Sequence, residues 1–137
     1  MKTEAIIREI DGIVKWYARS KPTGADIIEA YKKLTGYLWF FAEIVTEAKN
    51  EYNNKYYIRK IETARTKMNL VKSKLAVNKA EIEAILTHET DFMMEVEAES
   101  VVYRADLLLK QGNRVAECMR TEISFLKQEK QQSADPH

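Results

Sequence analysis

This chain offers few of the side chains that chemistry usually needs. Its histidines are His88 and His137, and Cys118 is its single cysteine. A tetrahedral zinc site takes three or four nitrogen or sulfur ligands, so one thiol and one internal imidazole fall short. A helical di-iron centre needs paired Glu-x-x-His motifs, yet the residue three before His88 is Ile85. The glycines stand apart at positions 12, 24, 36 and 112, so no glycine loop cradles a phosphate. The expectation is therefore of no catalytic residue, no metal, no cofactor and no enzyme. His88 reads as a solvated or capping residue, and Cys118, beside Met119, as an inert buried thiol.

Cations are the richer resource. Between Lys55 and Lys79 stand eight Lys or Arg against the single acid Glu62, and from Ala80 to Tyr103 there are seven acids with no Lys or Arg. Arg59, Lys60, Arg65, Lys67, Lys72 and Lys74, with Tyr52, Tyr56 and Tyr57 nearby, could follow a phosphate backbone while the aromatic rings stack on bases. The competing account has the tyrosines filling a bundle and the cations pairing with the acids that follow. A second binding surface is suggested by Trp39, Phe40 and Phe41. Adjacent helical residues point about 100 degrees apart, so one packing face cannot hide all three. With Trp16 on the preceding helix, Trp39 and Phe40 are candidates for contact with a protein partner or with further copies of the chain.

Helices must position all of these groups. Tyr57, Ile61, Ala64, Met68, Val71 and Leu75 alternate at spacings of four and three, which is one apolar seam. Upstream, Thr3 can cap a first helix carrying Ile6, Ile10, Ile13, Val14 and Tyr17, and that helix should stop near Ser20 because Pro22 disfavours helical geometry at Lys21. Thr23 and Asp26 resemble a capping box opening a second helix near Gly24. Ile27, Ile28, Tyr31, Leu34, Leu38, Phe41, Ala42, Val45 and Ala48 give that helix a wide apolar face, wide enough to touch two neighbours. Asn53 and Asn54 could turn the chain, although continuity is preferred.

The basic helix should reach about Ala76, with Asn78 and Glu81 forming a fresh cap. Reversal there would set Lys74 near Glu81, Lys72 near Glu83, Arg65 near Glu89 or Asp91, and Lys60 near Glu95. One unbroken helix is the alternative, since Ile82, Ile85, Phe92, Val96 and Tyr103 continue the seam, but it would put Asn78, Glu89 and Glu99 into apolar positions. Thr87 to Thr90 is a soft spot. Gly112 and Asn113 read as a helix end followed by a new cap, and the last helix, bearing Val115, Ala116, Met119, Ile123 and Leu126, should fray after Lys127.

Composition agrees with helices throughout. Four Gly and two Pro in 137 residues leave little turn chemistry, and a net charge of +1 gives no whole-protein field to draw in nucleic acid. The charged start does not resemble a signal peptide, and a single cysteine suits a reducing compartment, so the expected location is the cytoplasm.

The closing segment Arg120-Thr121-Glu122-Ile123-Ser124-Phe125-Leu126-Lys127-Gln128-Glu129 resembles that of small helical proteins from bacteriophage early-gene cassettes, near recombination and replication functions. The resemblance implies a phage or prophage setting and transfers no catalytic residue. The resulting expectation is an all-α, elongated antiparallel bundle of four to five helices with a central long helical hairpin. Residues 1–127 form one domain and 128–137 a disordered tail. The function expected is that of a non-enzymatic accessory protein of phage or mobile-element DNA metabolism, binding single-stranded nucleic acid or a nucleic-acid-binding protein. The alternative is an oligomeric inhibitor or sequestering protein directed at a host enzyme or defence system. Self-association is expected in either case, and membrane contact is not.

Overall fold

The computed structural model describes residues 2–20 and 22–134. Four helices account for nearly all of them: α1 (Thr3–Arg19), α2 (Gly24–Lys72), α3 (Val77–Thr87) and α4 (Glu89–Ala134). No strand occurs among the described residues. The chain divides into two compact units, one of residues 1–45 and 105–137, the other of Thr46–Arg104.

The first unit holds the hydrophobic core. α1 presents Ile6 and Ile10, α2 presents Ile27, Leu34, Leu38, Phe41 and Val45, and α4 adds Met119. Ile10, Leu34, Phe41 and Met119 are fully buried, each contributing about 1.5 to 3 kcal/mol relative to exposure. Thr3 is the first helical residue rather than the cap; Lys2 holds the cap position and makes no side-chain capping bond. α1 ends as expected, with Ser20 in extended geometry at its C-cap. Lys21, the residue on which Pro22 should act, lies outside the described residues. One half of the capping box forms, the Asp26 N–H donating to Thr23 Oγ1 at 3.4 Å, and the Thr23 hydroxyl itself donates to Asp26 Oδ2 at 2.8 Å.

Gly112 does not end a helix. α4 runs straight through it, and the reason is packing: a Cβ there would stand 2.5 Å from Leu38 Cδ2 and 3.4 Å from Ile10 Cγ2. A residue that looks like a stop signal is instead a point where α4 comes close against α1 and α2. α4 also continues past Lys127 to Ala134, because Lys, Gln and Glu are good helix formers and no Gly or Pro intervenes. Residues 135–137 of the expected tail lie outside the described residues.

The second unit is built from residues 46–72 of α2, all of α3 and residues 89–104 of α4. α2 passes Asn53 and Asn54 without interruption. It stops at Lys72, earlier than the expected Ala76, in a Schellman motif: Leu75 N–H donates to Leu70 O at 3.1 Å and Lys74 N–H to Val71 O at 3.0 Å. Lys74 takes the left-handed position usually held by glycine, with φ at 68°. α3 then begins at Val77 with Ala76 at its cap, so Asn78 lies inside the helix and does not cap it. The soft spot expected at Thr87 to Thr90 is real, and His88 interrupts the helix between α3 and α4.

Candidate interaction surface

The 46–104 unit is joined by polar contacts on one face of α2. Arg59 Nε and Nη2 donate to Glu95 Oε2 and Oε1 at 2.7 and 3.0 Å, a bidentate pair whose side chains keep only 20% and 10% of their exposure. The guanidinium carbon also sits 4.4 Å from the Phe92 ring centroid and 5.1 Å from that of Tyr56. The hydrogen bond from Arg59 holds the Glu95 carboxyl below the usual glutamate range, against the opposing effect of burial. The same bond raises Arg59. Tyr52 is raised as well, first by desolvation and then by the charges of Glu99 and Glu95.

A second contact lies further along the same face. His88 Nε2 is 2.7 Å from Thr66 Oγ1, and His88 Nδ1 is 3.0 Å from Asp91 Oδ2. With the proton on Nδ1, the ring donates to the carboxylate and accepts from the threonine hydroxyl. Hydroxyl, imidazole and carboxylate stand in the order that activates a nucleophile in hydrolases. Acyl transfer would also need donors aimed at the developing oxyanion, and in the middle of α2 the backbone amides beside Thr66 are committed to helix hydrogen bonds. The arrangement ties the α3–α4 break to α2, so His88 is a capping residue and not a solvated one.

Arg59 and Thr66 mark the inward face of α2 in this unit. At 100 degrees per residue, the centre of the seam through Tyr57, Ile61, Ala64, Met68 and Val71 lies about 160 to 180 degrees from them. The apolar seam therefore points outward, and Tyr57, Ile61 and Met68 are 59%, 50% and 59% exposed. Its periodicity is legible in the sequence, but that the chain covers the opposite, polar face is not. The α3 and α4 segments behave alike, leaving Ile82, Leu86, Met93, Val96 and Tyr103 exposed. Among the described residues of this unit only Ala80, Ala84 and Glu95 are buried.

The six cations singled out for nucleic acid are dispersed by this arrangement. Arg59 is consumed by Glu95, in the place expected of Lys60. Lys60 is exposed, its Nζ 5.6 Å from the Tyr56 ring centroid. Arg65 turns to Glu62 on its own helix at 3.5 Å instead of reaching Glu89 or Asp91. Lys67 is 4.0 Å from Glu81, the acid expected beside Lys74. Lys72 and Lys74 are exposed on the last turn of α2 and just after it.

In the first unit, Phe41 is wholly buried while Trp39 and Phe40 are 68% and 59% exposed, their rings 6.2 Å apart. Trp16 does not join them. It packs on the core and lines a different groove with Glu9, Ile13 and Glu29. Cys118 is exposed, not buried, since it lies 100 degrees round α4 from Met119, which takes the core position. Tyr17 donates its hydroxyl to Glu122, and desolvation, with that bond, pushes its pKa up to about 12.

Fold and surface together define an all-helical protein whose most distinctive feature is an exposed apolar seam beside segregated charge. No family model, curated protein or solved structure matches the chain. No group of three or more His, Cys, Asp or Glu side chains among the described residues could hold a metal ion. No helix among them is long and apolar enough to cross a membrane.

Proposed function

We propose that this chain works by binding protein, as a non-enzymatic helical accessory or sequestering protein whose 46–104 unit is the binding element. One observation carries the reading: that unit buries only two alanines and Glu95 among its described residues, while Tyr57, Ile61, Met68, Ile82, Leu86, Met93 and Val96 face outward. A helical unit is normally stabilised by tertiary burial of an apolar face rather than by propensity alone. Here the face is present and no described residue covers it. The contacts Arg59 to Glu95 and Thr66 to His88 support reading the central segment as an antiparallel hairpin, because residue numbers fall along one arm as they rise along the other. Trp39 and Phe40 supply a second, smaller partner surface. A phage or mobile-element setting rests on the closing segment 120–129.

Binding of single-stranded nucleic acid is a second reading, favoured by the exposure of Lys60, Arg65, Lys72 and Lys74. Arg59 leaves that set, and fewer phosphate contacts mean a shallower dependence on salt. Capture of partners from host lysate, before and after nuclease treatment, separates the two. A partner that survives nuclease and is lost from an Ile61→Glu/Met68→Glu variant supports the protein-binding reading. Loss of every partner after nuclease, with a low-salt shift of labelled oligonucleotide abolished by Lys60→Glu/Lys72→Glu, would replace it with the nucleic-acid reading.

A further inference from the structure

Resting on the protein-binding reading, we infer that the partner covering the outward seam of α2 is a second copy of this chain, which lays its own α3–α4 stripe over it. Three observations on the molecule meet in that assignment. First, the seam repeats as a coiled-coil edge does, at Tyr57, Ile61, Ala64, Met68 and Val71, with the expected Leu75 lost from it because α2 stops at Lys72, so its natural cover is another helix of the same repeat. Second, the exposed stripe Ile82, Leu86, Met93, Val96 and Tyr103 follows the same alternation of four and three once Glu89 and Ser100 are counted in the gaps. Both faces point away from the contacts Arg59 to Glu95 and Thr66 to His88, so the chain's own helices cover neither.

Third, charge chooses between the two ways of pairing copies. On the wheel Lys60 flanks the seam on one side and Arg65 and Lys72 on the other, while Lys67 is already beside Glu81 of its own chain. Seam against seam would set cation against cation. The stripe carries Glu89 at its centre, with Glu83 flanking it on α3 and Glu97 and Glu99 on α4; all of these acids are exposed. Seam against stripe buries apolar surface on both copies and sets acids beside cations. Because both faces point away from the α2–α4 contact, each copy offers its seam to one neighbour and its stripe to another, so the contact runs head to tail and adds copies rather than closing on two.

The test uses the full chain in sedimentation equilibrium over a wide concentration range, with circular dichroism as the check on folding. The wild type is expected to self-associate with a mean mass that keeps rising with concentration, and Ile61→Glu/Met68→Glu, which alters only surface positions of the single chain, to be a helical monomer. Lys60→Glu/Arg65→Glu and Glu83→Lys/Glu97→Lys should each self-associate about tenfold or more weaker. Mixed together, they should recover the wild-type association, because each then meets the opposite charge at both contacts. A wild type that stays monomeric would overturn the inference, as would an association indifferent to the seam substitutions or a mixture no tighter than its parts. A monomer that still captures a nuclease-resistant partner through Ile61 and Met68 would sink the homotypic assignment alone and leave the protein-binding reading standing.

Discussion

Arg59 and Glu95, thirty-six residues apart in sequence, form a two-pronged ion pair that is the most enclosed charged contact described in the 46–104 unit. The pair is roofed by Phe92 and Tyr56, which lowers the local dielectric and leaves either partner costly to strand. Glu95→Ala or Arg59→Ala should therefore destabilise this unit by about 2 to 3 kcal/mol, at or below the low end for buried pairs because Arg59 keeps part of its side chain in water. Replacing both, as Arg59→Met with Glu95→Leu, should cost much less than the sum of the two. Denaturant unfolding of the two single variants and the double one measures the coupling.

Acid should reach the same pair. The folded state holds Glu95 below its ordinary range, so the unfolded chain binds a proton there at higher pH than the folded one does. The stability it contributes is fully present above the ordinary glutamate pKa. It is lost as pH falls from that value through the depressed folded one. Stability measured across the acid range should drop in that window for the wild type, and the drop should shrink in the Arg59→Met/Glu95→Leu variant.

Lys74 closes α2 in a conformation that costs a non-glycine residue about 1 kcal/mol. Lys74→Gly should stabilise the chain by up to about 1 kcal/mol in thermal unfolding, with the Schellman bonds from Lys74 and Leu75 retained. Because Lys74 is not needed for the seam, the self-association proposed above should be unaffected.

Two glycines in helix interiors should respond oppositely to alanine. At Gly36 an added methyl would have nothing within 4 Å, so Gly36→Ala should stabilise by about 0.5 to 1 kcal/mol through helix propensity. At Gly112 the same methyl would meet Leu38 at 2.5 Å inside the core, and overpacking there costs about 1 to 3 kcal/mol. Gly112→Ala should therefore be net destabilising, and a thermal melt of the pair of variants decides the sign at each position.

Much of the local structure was legible in the chain itself. The stop at Ser20, the capping box at Thr23 and Asp26, and the interruption at His88 follow from short-range chemistry that acts over three or four residues. The seam from Tyr57 to Leu75 was equally plain, as was the impossibility of hiding Trp39, Phe40 and Phe41 together. What escaped were choices between neighbouring residues: Arg59 for Lys60, Met119 for Cys118, Ala76 for Asn78. One step along a helix is a rotation of about 100 degrees, so a small error in register moves a side chain from core to solvent. Gly112 misleads for a related reason, since a glycine that ends a helix and one that admits a neighbouring helix have the same sequence signature.

By itself the sequence determined that this protein is helical, where most of its helices begin and end, and which of their faces are apolar, because those properties depend on residues within a turn or two of one another. Tertiary structure alone decided which faces the chain covers. In the 46–104 unit it committed the polar face of α2, through Arg59 and Thr66, to its own acidic segment and left the apolar seam outward. Periodicity reports where apolar surface lies along a helix, whereas its burial depends on which distant segment the backbone can bring alongside.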